Sequence, residues 1–120
     1  MTTKFATKDE MVAYREKVWA ENMYTFGGFR FLWVTGQVWV GDTECRRLSE
    51  IEADVLHALI KAWPKPLTSR ALKAALSVET DSAAEDMKTW IRRIRKKVGL
   101  QGIILAAPGW GYTFNSEVLV

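Results

Sequence analysis

The chain has 120 residues, of which 48% are apolar and 26% are charged, and it carries a formal net charge of +3 with an isoelectric point near 9.1. This composition excludes a disordered tail and fits one domain with a modest hydrophobic core. Because Cys45 is the only cysteine, a disulfide framework and a multi-thiolate metal site within one chain are excluded as well. The first residues lack the apolar run of a signal peptide, and no stretch approaches the roughly 18 apolar residues of a membrane span, so we expect a soluble, cytoplasmic protein that contacts no membrane.

The first 25 residues predict a helix ahead of the main domain. Thr7 and Glu10 have the spacing of a capping box, in which each side chain satisfies a free backbone amide of the first turn. Gly27 and Gly28 are expected to end the segment. Two roles stay open for this helix: it covers the neighbouring sheet, or it forms a dimer or binds another protein. Its predicted apolar face consists of Met11, Tyr14 and Val18 and, if the stripe extends, Trp19 and Met23.

Residues 29–48 alternate large apolar and polar side chains between glycine turns at Gly36 and Gly41, which predicts a small antiparallel sheet. The aromatic content of this segment exceeds what a free-standing ribbon needs, so we expect one face of the sheet to lie on a helix. We interpret Trp33 and Trp39 as packing residues rather than as platforms for stacked bases.

Two helices are predicted after the sheet. Ser49 and Glu52 have the spacing of a second capping box and open a helix that runs to about Ala62. A short helix follows, capped by Thr68 or Ser69. Both helices are expected to support the helix that comes after them.

The helix predicted over residues 82–98 carries six of the seventeen basic residues. A third capping box, from Ser82 to Glu85, starts this helix, and Gly99 is placed to end it. At 3.6 residues per turn, one stripe of the helix is apolar and the opposite face is largely cationic. Such a helix suits the major groove of DNA, and the alternative is a basic face that is only solvated. The apolar stripe consists of Met87, Ile91, Ile94 and Val98, and the opposite face of Thr89, Arg92, Arg93 and Lys96.

The chain closes with a predicted hairpin, formed by a strand over residues 103–107, a turn over residues 108–111 and a returning strand over residues 112–114. The order of elements predicts an α+β fold. It is a winged helix-turn-helix with an N-terminal antiparallel sheet, a three-helix core and a C-terminal β-hairpin wing, plus the extra N-terminal helix. We therefore divide the chain into an N-terminal helical extension, residues 1–25, and a winged-helix domain, residues 26–120.

Three short motifs, each weak alone, occur in a fixed order along the predicted domain. They are the helix entry Leu48-Ser49-Glu50-Ile51-Glu52, the basic run Ile91-Arg92-Arg93-Ile94-Arg95-Lys96 and the wing sequence Gly109-Trp110-Gly111-Tyr112. With these motifs in order and the strands of residues 29–48 ahead of them, the chain from about Phe26 to Phe114 resembles the DNA-binding effector domain of OmpR/PhoB-type response regulators.

The resemblance implies that residues 82–98 form a recognition helix in the major groove of duplex DNA, while the hairpin reaches the adjacent minor groove. Arg92, Arg93 and Lys96 match basic positions of the family and would bind phosphates or guanine edges. Thr89 would place its methyl group on thymine, and Arg70 would hold a phosphate at the start of the second core helix. The expected DNA-binding residues are Arg70, Lys88, Thr89, Arg92, Arg93, Lys96 and Lys97.

The chain departs from the family pattern at several of these positions. Pro108 stands where the family has an arginine used in the minor groove. Asp86 stands where the family often has a threonine, and together with Glu85 it suits the helix dipole or could accept from cytosine amino groups. Trp90 replaces a histidine, and we expect it on the flank of the helix as a boundary residue or as a contact with a sugar or a partner.

Only some 25 residues precede the sheet, too few for a receiver domain, so we expect a stand-alone transcriptional regulator. We expect it to bind duplex DNA without a cofactor or metal, as a homodimer on repeated half-sites. The alternative function is a protein-interaction module that binds RNA polymerase or another regulator instead of specific DNA. Catalysis is not expected, because His57 and Cys45 lie in separate elements and neither a Gly-rich phosphate loop nor a metal-ligand spacing occurs.

Overall fold

The computed structural model describes residues 7–76 and 87–119 of the chain. Within these ranges a four-stranded antiparallel sheet is followed by three helices and a two-stranded hairpin, and a further helix precedes the sheet. This is the α+β winged-helix architecture that the sequence predicts. The elements are α1 (Lys8–Asn22), β1 (Met23–Phe26), β2 (Phe29–Leu32), β3 (Gln37–Val40), β4 (Thr43–Glu44), α2 (Glu50–Ala62), α3 (Ser69–Ala74), α4 (Met87–Val98), β5 (Ile104–Ala107) and β6 (Gly111–Phe114).

Helix α1 begins at its predicted cap and ends earlier than predicted. The Thr7 hydroxyl accepts a hydrogen bond from the Glu10 amide at 3.2 Å. The helix ends at Asn22, and the next four residues form β1, which pairs with β2 in antiparallel register. Gly27 and Gly28 therefore form a two-residue hairpin turn, for which the positive φ of the first glycine, 57°, is suited. The prediction of a helix over all of the first 25 residues is wrong, because strand pairing takes over at residue 23.

The predicted apolar face of α1 has large exposed surfaces. Met11, Tyr14 and Trp19 are 37%, 50% and 42% exposed. Trp19 also contacts Trp39 of β3, with ring centroids 6.2 Å apart. This helix thus meets the sheet through Trp19 near its C-terminal end, while Met11 and Tyr14 keep large exposed surfaces. Both roles considered for α1 stay predictions.

The sheet packs one face on the helices, as the alternation predicts. Phe29 and Phe31 of β2 and Val38 of β3 are buried, because alternate residues of a strand point to the same face. The strand order β1-β2-β3-β4 follows the chain, so every connection within the sheet is a hairpin.

Both tryptophans of the sheet region make packing contacts within the molecule, as predicted. Trp33 stacks on the His57 ring of α2 with centroids 4.2 Å apart and planes 5° from parallel. Tyr24 shares a hydrogen bond of 3.0 Å with the same imidazole. These contacts make His57 a packed, half-buried ring at the boundary of the core. Burial and the nearby Lys61 ammonium lower the pKa of His57, which favours the neutral imidazole.

Helices α2 and α4 supply most of the helical part of the core, and α3 adds Leu72. Helix α2 has the predicted extent, and α3 is capped by the Thr68 hydroxyl, which accepts from the Ala71 amide at 3.1 Å. Gly99 follows α4 with a φ of 81°, as its predicted role of left-handed stop requires. No helix within the described residues has the length and apolar character needed to cross a membrane. The predicted apolar stripe of α4, Met87, Ile91, Ile94 and Val98, is buried. The α2 residues Val55, Leu56, Leu59 and Ile60 are buried as well.

The C-terminal hairpin, which we call the wing, is joined to the chain segment before α3. Leu67 and Tyr112 exchange two backbone hydrogen bonds of 2.8 Å each, which adds a bridge beside β6. Gly111 lies at the base of this bridge with a φ of 107°. A side chain at this position would press its Cβ against the Leu67 carbonyl oxygen, well inside van der Waals contact. The close approach therefore requires glycine.

We predict that Gly111→Ala lowers the free energy of unfolding by about 2–5 kcal/mol, from a positive φ and an overpacked contact together. Gly109→Ala is the matched control, because Gly109 has a φ of 80° but no atom within 4 Å of the point that a Cβ would occupy. The control is expected to cost only about 1–2 kcal/mol. Urea unfolding followed by circular dichroism measures both, and equal losses would contradict the close approach.

Candidate nucleic-acid interface

Helix α4 is attached to the core by one buried stripe. Trp90 extends the predicted stripe and is 1% exposed. The expectation that Trp90 lies on the flank of the helix, as a boundary residue or a contact with a sugar or a partner, is therefore wrong. At 3.6 residues per turn it lies only about 40° around the helix from Ile94, and the arc covered by the core is wide enough to include both side chains.

The exposed half of α4 carries three rows of polar side chains. At 3.6 residues per turn, the polar side chains form a central row, a wing-side row that faces the wing, and an α2-side row that faces the start of α2. All six basic residues of the run lie in these rows, and the described part of the helix contains no acidic residue. The central row is Thr89, Arg92 and Lys96, the wing-side row is Lys88 and Arg95, and the α2-side row is Arg93 and Lys97.

Six of the seven predicted DNA-binding residues lie in these rows. Thr89 and Lys97 are half-buried, while the four cations Lys88, Arg92, Arg93 and Lys96 are exposed. The structure thus brings them together on one face of one helix. The predicted first turn of that helix, residues 82–86, lies outside the described residues, and with it the expected capping box and the acidic pair.

Arg95 in the wing-side row holds the wing against α4. Its guanidinium donates two hydrogen bonds to the Ile104 carbonyl oxygen, from Nε at 3.1 Å and from Nη2 at 2.6 Å. Hydrogen bonds from a charged guanidinium are stronger than those between neutral groups, and here two of its nitrogens donate to the same carbonyl oxygen. Sequence reasoning assigned no role to Arg95, although its position close to Ile91 around the helix indicated that it borders the buried stripe.

Lys97 in the α2-side row forms an ion pair inside the molecule. Its ammonium donates to Glu52 Oε1 at 2.5 Å, and the two side chains are 20% and 3% exposed. The same carboxylate oxygen accepts from the Ser49 amide at 2.8 Å, and the Ser49 hydroxyl accepts from the Glu52 amide at 3.2 Å. The second predicted capping box is confirmed, and it also ties the start of α2 to the end of α4. Lys97 therefore has a partner inside the molecule, and its contact with DNA stays a prediction.

A depression of about 360 Å³ lies beside this ion pair, and we call it the basic cleft. Arg46, from the loop between β4 and α2, lines the cleft together with three cations of α4. Four cations face one carboxylate here, so the cleft has an excess of positive charge. Sequence reasoning missed Arg46, because it belongs to none of the motifs and only the tertiary fold brings it to α4. The cleft is lined by Arg46, Ser49, Glu52, Arg93, Lys96 and Lys97.

The remaining predicted residue, Arg70, lies on a different helix. It is exposed in the first turn of α3, three residues after the Leu67 bridge to the wing. At the tip of the wing, Trp110 is 70% exposed, next to the exposed Pro108. Arg70 is thus connected to the wing through the backbone, separately from the face of α4.

Cys45 connects the sheet region to the end of α4. Its thiol lies 3.5 Å from the Val98 carbonyl oxygen. Burial raises the pKa of this thiol, which keeps it protonated and able to donate near neutral pH. The cysteine is therefore placed as a weak hydrogen-bond donor at the helix terminus.

Comparison with solved structures gives several proteins of similar fold. The RstA DNA-binding domain of Klebsiella pneumoniae, crystallised in complex with RstA box, is 26% identical, with a TM-score of 0.63 over 78% of this chain and 97% of that domain. The response regulator DrrB of Thermotoga maritima, described as an OmpR/PhoB homologue, is 22% identical, with a TM-score of 0.64 over 94% of this chain and 55% of DrrB. A mutant of RitR is 22% identical, with a TM-score of 0.60 over 93% of this chain and 54% of RitR.

The chain therefore spans about half the length of DrrB and of RitR and nearly all of the RstA domain. Comparison with protein-family models found no match, and neither did comparison with curated proteins. The fold of this chain is that of the DNA-binding domains of OmpR/PhoB-type response regulators.

We predict that Lys97→Met lowers the free energy of unfolding by about 3–5 kcal/mol, because it leaves the buried Glu52 carboxylate without its counter-ion. Lys96→Met is the matched control: it removes the same charge from the next, exposed position and should change stability by less than about 0.5 kcal/mol. Thermal and urea unfolding measure both variants. Indistinguishable stabilities would show that the ion pair has no structural role.

Proposed function

We propose that this chain binds duplex DNA as a transcriptional regulator and that α4 is its recognition helix. The observation that carries the proposal is the geometry of α4, whose buried stripe fixes it to the core while four cations project from the opposite face. The likeness to a domain crystallised with RstA box supports the same function. That the regulator acts without a receiver domain stays a prediction.

The dimensions of the helix fit the major groove. With its side chains, a helix is about 10–12 Å across, close to the roughly 12 Å width of the groove. In that position the central row faces the base edges, and the two outer rows face the phosphates. Arg92 and Lys96 would then read guanine edges or bind phosphates, and the Thr89 methyl group would contact thymine.

Phosphate contacts would supply most of the affinity, from Lys88 and Arg93 on the two outer rows and from Arg70 on α3. The wing is attached to α4 through Arg95 and would approach the adjacent minor groove. Pro108 has no amide proton and no cationic side chain, so we assign little base reading to the wing. One such module buries too little surface for tight specific binding, and we therefore propose a homodimer on repeated half-sites.

We predict that affinity for a duplex selected by the protein from a random-sequence library depends steeply on salt. With about four to six phosphate contacts, the log–log slope should be about −4 to −5 between about 50 and 200 mM salt. The double variant Arg92→Ala/Arg93→Ala should bind at least about tenfold more weakly and have a slope smaller in magnitude by about 1–2, depending on whether Arg92 binds a phosphate or a base. Fluorescence anisotropy of the labelled duplex measures both quantities.

The matched control is Lys8→Ala/Lys17→Ala, which removes two exposed charges from α1. Because these lysines lie outside the proposed face, both affinity and slope should stay near those of the wild type. Unchanged binding by the Arg92/Arg93 double variant would rule out α4 as the recognition helix.

A second candidate function is binding to a protein, either RNA polymerase or another regulator. The exposed apolar side chains of α1, among them Met11, Tyr14 and Trp19, favour it, since exposed apolar patches often mark interaction surfaces. Retention of the protein on immobilised RNA polymerase, together with no salt-sensitive retention on duplex DNA, would decide for this function. Loss of the polymerase interaction in Trp19→Ala would assign it to α1.

A further inference from the structure

We propose that the basic cleft binds a phosphate of the DNA backbone and that Arg46 is a DNA-binding residue outside the recognition helix. The inference rests on the proposed DNA-binding function and extends it to a different element, the loop between β4 and α2. Arg46 shares the depression of about 360 Å³ with Arg93 and Lys96 of α4.

The electrostatics of the cleft favour an anion. The Glu52 carboxylate is 3% exposed and already accepts from Lys97 and from the Ser49 amide, so its charge is compensated within the molecule. Arg46, Arg93 and Lys96 then give the lining of one opening an excess of positive charge. Guanidinium groups bind phosphate oxygens through two parallel N–H donors, which suits a cleft lined by the two arginines Arg46 and Arg93.

A neutral donor completes the set. The Ser49 hydroxyl lines the cleft and accepts a hydrogen bond from the Glu52 amide. A hydroxyl that accepts in this way keeps its own proton to donate to a ligand. The cleft thus offers cationic donors and one neutral donor.

The position of the cleft points to a backbone phosphate rather than to a free anion. It lies along the α2-side row of α4, the row of Arg93 and Lys97. A helix that fills the major groove has its outer rows against the phosphate walls of that groove. When the central row faces the bases, the cleft faces one of these walls, and Arg46 reaches the same wall from the neighbouring loop.

Arg47 provides a matched control one residue away. Its side chain lies towards the turn at Gly36, where the Cγ of Arg47 would be 3.5 Å from a Cβ on that glycine. Arg47 is exposed and does not line the cleft, so its removal changes the net charge by the same amount without changing the cleft.

The experiment measures the affinity of full-length Arg46→Ala, Arg46→Lys and Arg47→Ala for the library-selected duplex over a range of salt concentrations. We expect Arg46→Ala to weaken binding about fivefold near 0.1 M salt and to reduce the magnitude of the slope by about 1, the effect of one phosphate contact. The loss should be similar for duplexes of different sequence. Arg46→Lys should retain most of the slope, and Arg47→Ala should resemble the wild type.

Each other outcome has a separate meaning. If Arg46→Ala and Arg47→Ala have the same affinity and slope while Arg92→Ala/Arg93→Ala binds weakly, the cleft inference is overturned and the proposed function stands. If the wild type has no salt-sensitive binding to duplex DNA, the proposed function is overturned and the cleft inference is overturned with it. If inorganic phosphate at constant ionic strength saturates the wild type but not Arg46→Ala, and duplex affinity is unaffected by Arg46→Ala, the cleft binds a free anion and the inference is overturned.

Discussion

The buried carboxylate of Glu52 makes the contacts on which the orientation of α4 depends. It accepts from the amide of Ser49, the N-cap of its own helix α2, and from Lys97 at the far end of α4, so one side chain fixes both helices where they meet. Burial of such a pair contributes little net stability, because desolvation of the two charges offsets their attraction. Its effect is on geometry, because separation of the two helices would leave the Glu52 carboxylate, which is 3% exposed, without its counter-ion.

The six cations of α4 therefore divide into two groups. Lys97 and Arg95 are turned back towards the protein, one to α2 and the other to the wing. They hold the helix between its two neighbours. The other four face outward, and their direction is determined by the contacts of the first two together with the buried stripe. The buried stripe attaches α4 to the core, and these two polar contacts fix its orientation at both edges.

Local patterns in the sequence were sufficient to predict most of the fold. The capping residues Thr7 and Ser49, the glycine that ends α4 and the apolar stripe of that helix each depend on neighbours within about four residues, which sequence spacing expresses directly. Long-range contacts could not be predicted in this way. The pairing of β1 with β2 replaced the last turn of the expected helix, and the width of the core arc buried Trp90.

The candidate site was also predictable only in part: local period placed its exposed cations, but not their tertiary partners. Helical periodicity placed Arg92 and Lys96 on the exposed face, but it could not distinguish them from Lys97, whose partner is 45 residues earlier in the chain. Arg46 lay outside every motif, and only the packing of α2 against α4 brings it to the cleft. The roles of charged residues depend on tertiary neighbours, whereas the positions of apolar residues follow largely from local period.

The most direct test of DNA binding by α4 is a titration of the isotope-labelled protein with the selected duplex, followed by amide chemical shifts in NMR spectra. We predict that the largest shifts occur in α4 from Lys88 to Lys96, with further shifts around Arg46 and Arg70. Helix α1 should be little affected, apart from any effect of dimer formation. Large shifts confined to α1, with the amides of α4 unchanged at saturating duplex, would contradict the claim that the cationic face of α4 binds DNA.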